Sequence, residues 1–202
     1  LISFVLTFST ALVLSASLSR YIVAQMMLRD ATVSAEFLNS VVQVENASGY
    51  FLNSGNADAE QDIEELLIHV GRLPDVFRAN VYARDGMILW SSDEEMIGKS
   101  FPDNEELAGA MRGELDPELN VVDRGAKDEH VGFPEGIVEF IEYYIPIHAA
   151  NGSAVVGAVE VYKAPETLLT SIRRVRTYAW LGALAAAAVL FGGLAVVVTY
   201  AS

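Results

Sequence analysis

The chain has 202 residues, of which 27 are acidic and 13 basic, for a formal charge of −14, and it has no cysteine. That charge excludes nucleic acid and anionic surfaces as ready partners of the charged region. The missing thiols exclude a disulfide framework, a cysteine zinc site and thiol catalysis.

Residues 1–19 contain no Asp, Glu, Lys, Arg or His. A helix rises about 1.5 Å per residue and a bilayer core is about 30 Å thick, so about 20 apolar residues cross it. The run just suffices and is read as a first transmembrane helix. Ser15-Ala16-Ser17 would also suit a signal-peptide cleavage site, but no basic segment precedes it. Residues 20–48 carry neither Pro nor Gly. There Ile22, Met26, Val33, Phe37, Val41 and Val44 form one stripe of a long helix that continues the first span. Residues 46–57 read as a polar loop. Helical periodicity returns over 59–73 through Ile63, Leu66, Leu67 and Val70, and ends at Gly71 and Pro74.

The period then changes to two. On 76–84, Phe77, Ala79, Val81 and Ala83 share one face and Arg78, Asn80 and Tyr82 the other. Asp85-Gly86 predicts a hairpin turn into a second strand over 87–92. A short helix is expected over 104–112, with Asp103 as its N-cap and Gly113 at its end. Strands are expected over 119–123, 137–147 and 154–163. A Gly/Pro-containing loop fills 124–136, and Asn151-Gly152 turns the last hairpin. Pro165 suits a first helical turn. From there a helix runs into 177–202, a second uncharged run with ample length to span a bilayer.

In that run Gly182/Ala186 and Ala188/Gly192 place small residues four apart, a spacing that lets helices approach closely in lipid and that also occurs in any Ala-rich span. Arg173, Arg174 and Arg176 flank it on the domain side. The positive-inside rule would put them in the cytoplasm, but long loops translocate largely regardless of charge. The chain starts without Met and stops just after the second run. This gives the expectation of a fragment whose output domain follows Ser202. The organisation is thus a first span (1–19), one domain (20–176) and a second span (177–202).

Val81-Tyr-Ala-Arg-Asp-Gly-Met-Ile-Leu-Trp-Ser-Ser92, Ile97-Gly-Lys-Ser-Phe101, Leu107-Ala-Gly-Ala-Met-Arg-Gly113, Tyr144-Ile-Pro-Ile147 and Val156-Gly-Ala-Val-Glu-Val-Tyr162 occur in that order. Together they resemble the Cache sensor domains, the PAS-like extracytoplasmic domains of bacterial receptors, over about residues 20–176. The resemblance implies an α+β fold in which a long N-terminal helix backs an antiparallel sheet and a ligand pocket lies on the other face. It further implies first and last strands side by side, a parallel homodimer through the long helix, and a following histidine kinase, diguanylate cyclase or chemotaxis domain.

With the strands so arranged, Arg78, Asn80 and Tyr82 meet Glu160 and Tyr162. Arg78 then either clamps a carboxylate bidentately, with tyrosine hydroxyls adding direction, or pairs with Glu160 and binds nothing. Glu142 and Tyr144 fall on the 137–147 strand, where an acid would suit a cationic ligand. Trp90 is either core or a pocket wall. His130, in Asp128-Glu129-His130, can contact ligand, hold a metal ion with its acidic neighbours, titrate near neutrality, or sit solvated in its loop. His69 reads as structural and His148 as exposed.

No Gly-rich phosphate loop, His-Glu-x-x-His or cysteine nucleophile is present, so no enzyme activity and no cofactor are expected within this chain. The expectation is a two-pass sensor in the bacterial inner membrane, binding a small molecule outside and signalling to a histidine kinase. The alternative is a membrane-anchored interaction domain that binds a protein partner and no small ligand.

Overall fold

The computed structural model describes residues 2–45, 47–52, 70–71, 73–101, 103–123, 132–150, 152 and 154–201. The elements are α1 (Ile2–Val44), α2 (Ser48–Leu52), β1 (Val76–Ala83), β2 (Ile88–Ser91), α3 (Glu105–Met111), β3 (Glu118–Val121), β4 (Glu139–His148), β5 (Val155–Lys163) and α4 (Glu166–Ala201), with a 3-10 turn at Glu94–Met96. Two compact units result. One is Met27–Glu166; the other joins Leu1–Met26 to Thr167–Ser202. Most of the helix expected over 59–73, together with His69, His130 and its acidic neighbours, lies outside the described residues.

Within Met27–Glu166 the fold is α+β. A five-stranded sheet has the order β2-β1-β5-β4-β3, and each neighbouring pair is antiparallel. The first and last strands pair at its centre, as expected. The β1–β2 turn closes with Gly86 N–H on the Ala83 carbonyl at 3.0 Å, and Gly86 takes a φ of 85°, which only glycine adopts without strain.

Two local expectations change. Asn104, not Asp103, caps α3, its side chain accepting from Leu107 N–H at 2.8 Å. The segment read as a loop after residue 46 holds the short helix α2, because Phe51 packs on Gly157 of β5.

The inward face of α1 also differs from the predicted stripe. Met27, Ala31, Ser34, Leu38, Val41 and Val42 are buried, whereas Val33, Phe37 and Val44 are exposed. Only Val41 of the expected set from this unit is buried. The reason is the sheet face opposite. Tyr143 donates its hydroxyl to Ser34 Oγ at 3.0 Å, and Lys163 Nζ meets Asp30 Oδ2 at 2.7 Å. A helix face that must satisfy a buried hydroxyl and a buried ammonium carries polar residues, so apolar periodicity alone selects the wrong side.

In the other unit α1 and α4 run antiparallel. Ser15 Oγ donates to the Ala179 carbonyl at 2.8 Å. Ala183 is buried, while Gly182, Ala186, Ala188 and Gly192 are exposed. The small residues of α4 at the contact with α1 are Ala179 and Ala183. Among the described residues one helix is long and apolar enough to cross a membrane, α4 over Leu168–Tyr200, and almost none of it is buried.

Gly157 fixes how closely α2 approaches the sheet. A Cβ there would overlap the Phe51 ring and stand 2.5 Å from the Tyr82 carbonyl oxygen. Gly157→Ala is expected to cost about 1–3 kcal/mol by overpacking, read as a lower urea midpoint at unchanged slope. An unchanged midpoint would show that α2 is not held against β5.

Candidate functional site

Strand register assembles the site. Arg78 of β1 stands beside Tyr162 of β5, which stands beside Glu142 of β4; one row along, Asn80, Glu160 and Tyr144 are neighbours in the same way. Strand alternation adds Tyr82 to the same face. Arg78, Asn80, Tyr82, Tyr144, Glu160 and Tyr162 are all buried.

The carboxylate of Glu160, 2% exposed, is the centre. Tyr82 donates to Oε2 at 3.0 Å, and Tyr144 and Tyr162 donate to Oε1 at 2.5 and 2.7 Å. Asn80 Nδ2 supplies a fourth donor to Oε2. Ser91 Oγ donates to Asn80 Oδ1 at 2.5 Å and so holds that amide with its NH2 toward the acid. Asn104 Nδ2 donates to the Tyr144 hydroxyl at 2.9 Å, tying the start of α3 to the same network.

A buried carboxylate costs several kcal/mol unless donors replace its water, and hydrogen bonds to a charged group return about 1.5–3 kcal/mol each. Among the described residues every donor is neutral. Burial first, and the Glu160 charge second, push the Tyr82, Tyr144 and Tyr162 hydroxyls far above the ordinary tyrosine range. They therefore remain protonated donors.

The expected alternative, an Arg78–Glu160 ion pair, does not form. Arg78 Nη2 meets Asp93 Oδ2 at 3.1 Å, with side-chain exposures of 8% and 41%. The guanidinium lies 5.6 Å from the Phe133 ring centre and 5.8 Å from that of Tyr162. A register shift between Val76 and Arg78 redirects Phe77, expected in the core with Ala79 and Val81. Its ring instead packs edge-on against Phe133 at 5.0 Å. A cleft of about 390 Å³ opens here, lined by Phe77, Arg78, Ser92, Asp93, Glu94, Gly132, Phe133 and Pro134. Asp93 also caps the 3-10 turn, its Oδ1 accepting from Glu95 N–H at 3.2 Å.

Of the remaining predicted site residues, Glu142 is held by Asn120 Nδ2 at 3.0 Å toward the β3 side. Trp90 does not join the cluster. It pairs with Val81, so it belongs to the face that α1 backs, opposite Glu160. His130 lies outside the described residues. Ser91, Asp93, Asn104 and Phe133 were not foreseen. The Ser-Ser-Asp run at 91–93 and the Asn before Glu105 were capping signals that could have drawn attention to three of them.

No family model matches the chain, and no curated protein matches it. Among solved structures, it is similar to an extracellular ligand binding receptor from Desulfohalobium retbaense DSM5692, at 18% identity and a TM-score of 0.36. The alignment covers 74% of this chain and 27% of that one, so the chain spans about a quarter of that protein's length.

The tyrosine network makes a pH prediction. Tyr82, Tyr143, Tyr144 and Tyr162 have folded-state values above the unfolded value of about 10, so their stabilising contribution is complete below pH 10 and falls as pH rises beyond it. Each contributes a slope of about 1.4 kcal/mol per pH unit there. Ultraviolet titration should show these tyrosines un-ionised until the chain unfolds. Early ionisation of the full set of eight would contradict the network. Glu160→Gln, which turns an acceptor into a donor facing hydroxyl donors, should cost about 1–3 kcal/mol.

Proposed function

We propose that the chain is the sensing part of a bacterial transmembrane receptor, two-pass in the inner membrane, whose outer domain binds a small organic anion at Arg78. The observation that carries this reading is the guanidinium itself. It is buried on an aromatic bed of Phe133 and Tyr162, beside a cleft of about 390 Å³, and the carboxylate it meets belongs to the more exposed Asp93. A ligand carboxylate can take the place of Asp93 in a bidentate pair, with the apolar remainder against Phe77 and Phe133.

Asp93 then acts as a stand-in for the ligand. Its displacement loosens the cap of the 3-10 turn. Tyr162 under the guanidinium and Glu160 two residues earlier belong to β5, and α4 starts three residues after β5 ends. This short connection supports transmission into α4 toward a following domain, read as a histidine kinase. Coupling of about 1–3 kcal/mol is typical, and a ligand supplies only its differential affinity for the two states. The exposed Val33, Phe37 and Val44 on α1 support a parallel homodimer through that helix.

One observation favours the alternative, a membrane-anchored domain that binds a protein and no small ligand. Glu160 is already saturated by the protein's own donors, so this part of the sheet face is closed.

A thermal-shift screen of the chain in detergent against organic acids, amino acids, amines and divalent metals separates the two. The expected result is stabilisation by carboxylates that Arg78→Ala abolishes. Asp93→Asn, which removes the competing charge but keeps the side chain's shape, should bind the same ligand about threefold to tenfold more tightly. No carboxylate hit, or tighter binding by Arg78→Ala, would favour the interaction domain.

A further inference from the structure

We infer that the cleft between the two terminal helices binds the phosphate of an anionic phospholipid. It is a site apart from the sheet face and rests on the reading that both helices lie in a membrane.

The cleft belongs to the unit formed by Leu1–Met26 and Thr167–Ser202 and has a volume of about 220 Å³. Its lining on α1 runs from Leu12 to Arg20, and on α4 from Arg176 to Ala183. Because the helices are antiparallel, Arg20 and Arg176 stand together at one end, and Leu12 and Ala183 at the other. One cavity thus passes from a pair of guanidiniums to an apolar floor in about 12 Å of helix. A phospholipid makes the same transition from phosphate through glycerol to acyl chain. The volume is below the roughly 300–1,000 Å³ of sites that enclose a whole drug-sized ligand. It suits a phosphate and the start of its glycerol, with the acyl chains outside.

Charge and position both select that occupant. This unit contains Arg20, Arg173, Arg174 and Arg176 and no Asp or Glu, in a chain of formal charge −14. Arg20 is the first charged residue after the N-terminal apolar run, and Arg176 the last before the C-terminal one. They stand where the helices leave hydrocarbon, at the depth of headgroup phosphates. Tyr21, Tyr178 and Trp180 lie at the same level and are exposed, as aromatic residues at a bilayer interface are. A guanidinium presents a planar fork that matches a phosphate, and basic pockets between membrane helices take acidic headgroups. A headgroup held there joins α1 and α4.

The test uses the full chain in detergent, analysed by native mass spectrometry with phosphatidylglycerol, phosphatidylcholine or inorganic phosphate added. The expected result is retained phosphatidylglycerol, with about tenfold less retained by the double variant Arg20→Gln, Arg176→Gln. Both side chains are exposed, so the fold tolerates the change. Arg173→Gln with Arg174→Gln, outside the cleft, should retain lipid as the parent does. Equal loss from the two double variants would overturn the proposal in favour of a diffuse basic belt. Equal retention of phosphatidylcholine would remove the charge recognition, and displacement of lipid by millimolar inorganic phosphate would reassign the cleft to the free anion. Carbonate extraction of membranes carrying the chain tests the membrane reading separately. Release of the chain sinks that reading, whereas retention without phosphatidylglycerol preference sinks only the lipid site.

Discussion

A carboxylate buried without a cationic partner among the described residues organises the sheet face. Glu160 needs four donors, and their positions come from three different strands: Asn80 and Tyr82 on β1, Tyr144 on β4 and Tyr162 on β5 itself. A slip of one residue between β1 and β5 would send Asn80 and Tyr82 to the α1 side and leave the acid uncompensated. The acid therefore penalises every wrong register of the central strands. Ser91 and Asn104 carry the same constraint outward, to β2 and to the cap of α3.

The opposite face meets a similar demand by another route. Lys163, buried as deeply as Glu160, is matched by Asp30 and Ser34 of α1. β5 thus presents an acid to one side and an ammonium to the other, three residues apart. Neither is paired with the other, because strand alternation separates them by the thickness of the sheet. The two charges pin the strand between layers of different chemistry. Arg78 is the exception to this closure. It meets the partly exposed Asp93 and borders a cleft of about 390 Å³, so its surroundings are less closed than those of Glu160 or Lys163.

Much of this was legible before any fold was known. The alternation on 76–84 and 154–163 separated Arg78, Asn80, Tyr82, Glu160 and Tyr162 from the apolar positions, and these side chains do share one face. The resemblance to Cache domains implied that first and last strands are neighbours, and β1 does pair with β5. What failed did so for local reasons. Trp90 follows Val81 across the pair and faces the helix, a consequence of β1–β2 register that composition does not encode. Phe77 packs with Phe133, Phe140 and Tyr162 rather than with Ala79 and Val81 because the chain bulges beside Arg78, and a bulge reverses alternation without altering the pattern of residue types. The inward stripe of α1 was misjudged because its true face includes Asp30 and Ser34, which serve polar groups of a sheet not yet in view.

Periodicity, turn residues and the segregation of charge determined by themselves the two long helices and the strands, where the hairpins turn, and that the two ends are apolar while the middle is acidic. These are properties of contiguous residues, and local sterics and solvation suffice to express them. Tertiary structure alone decided who partners whom. That Glu160 takes tyrosines rather than Arg78, that Arg78 takes Asp93, and that α1 and α4 meet through Ser15, Ala179 and Ala183 depend on register and on distances between segments far apart in the chain. A charged side chain carries the need for a partner in its own chemistry, but which partner it finds is settled by the geometry that brings distant strands and helices together.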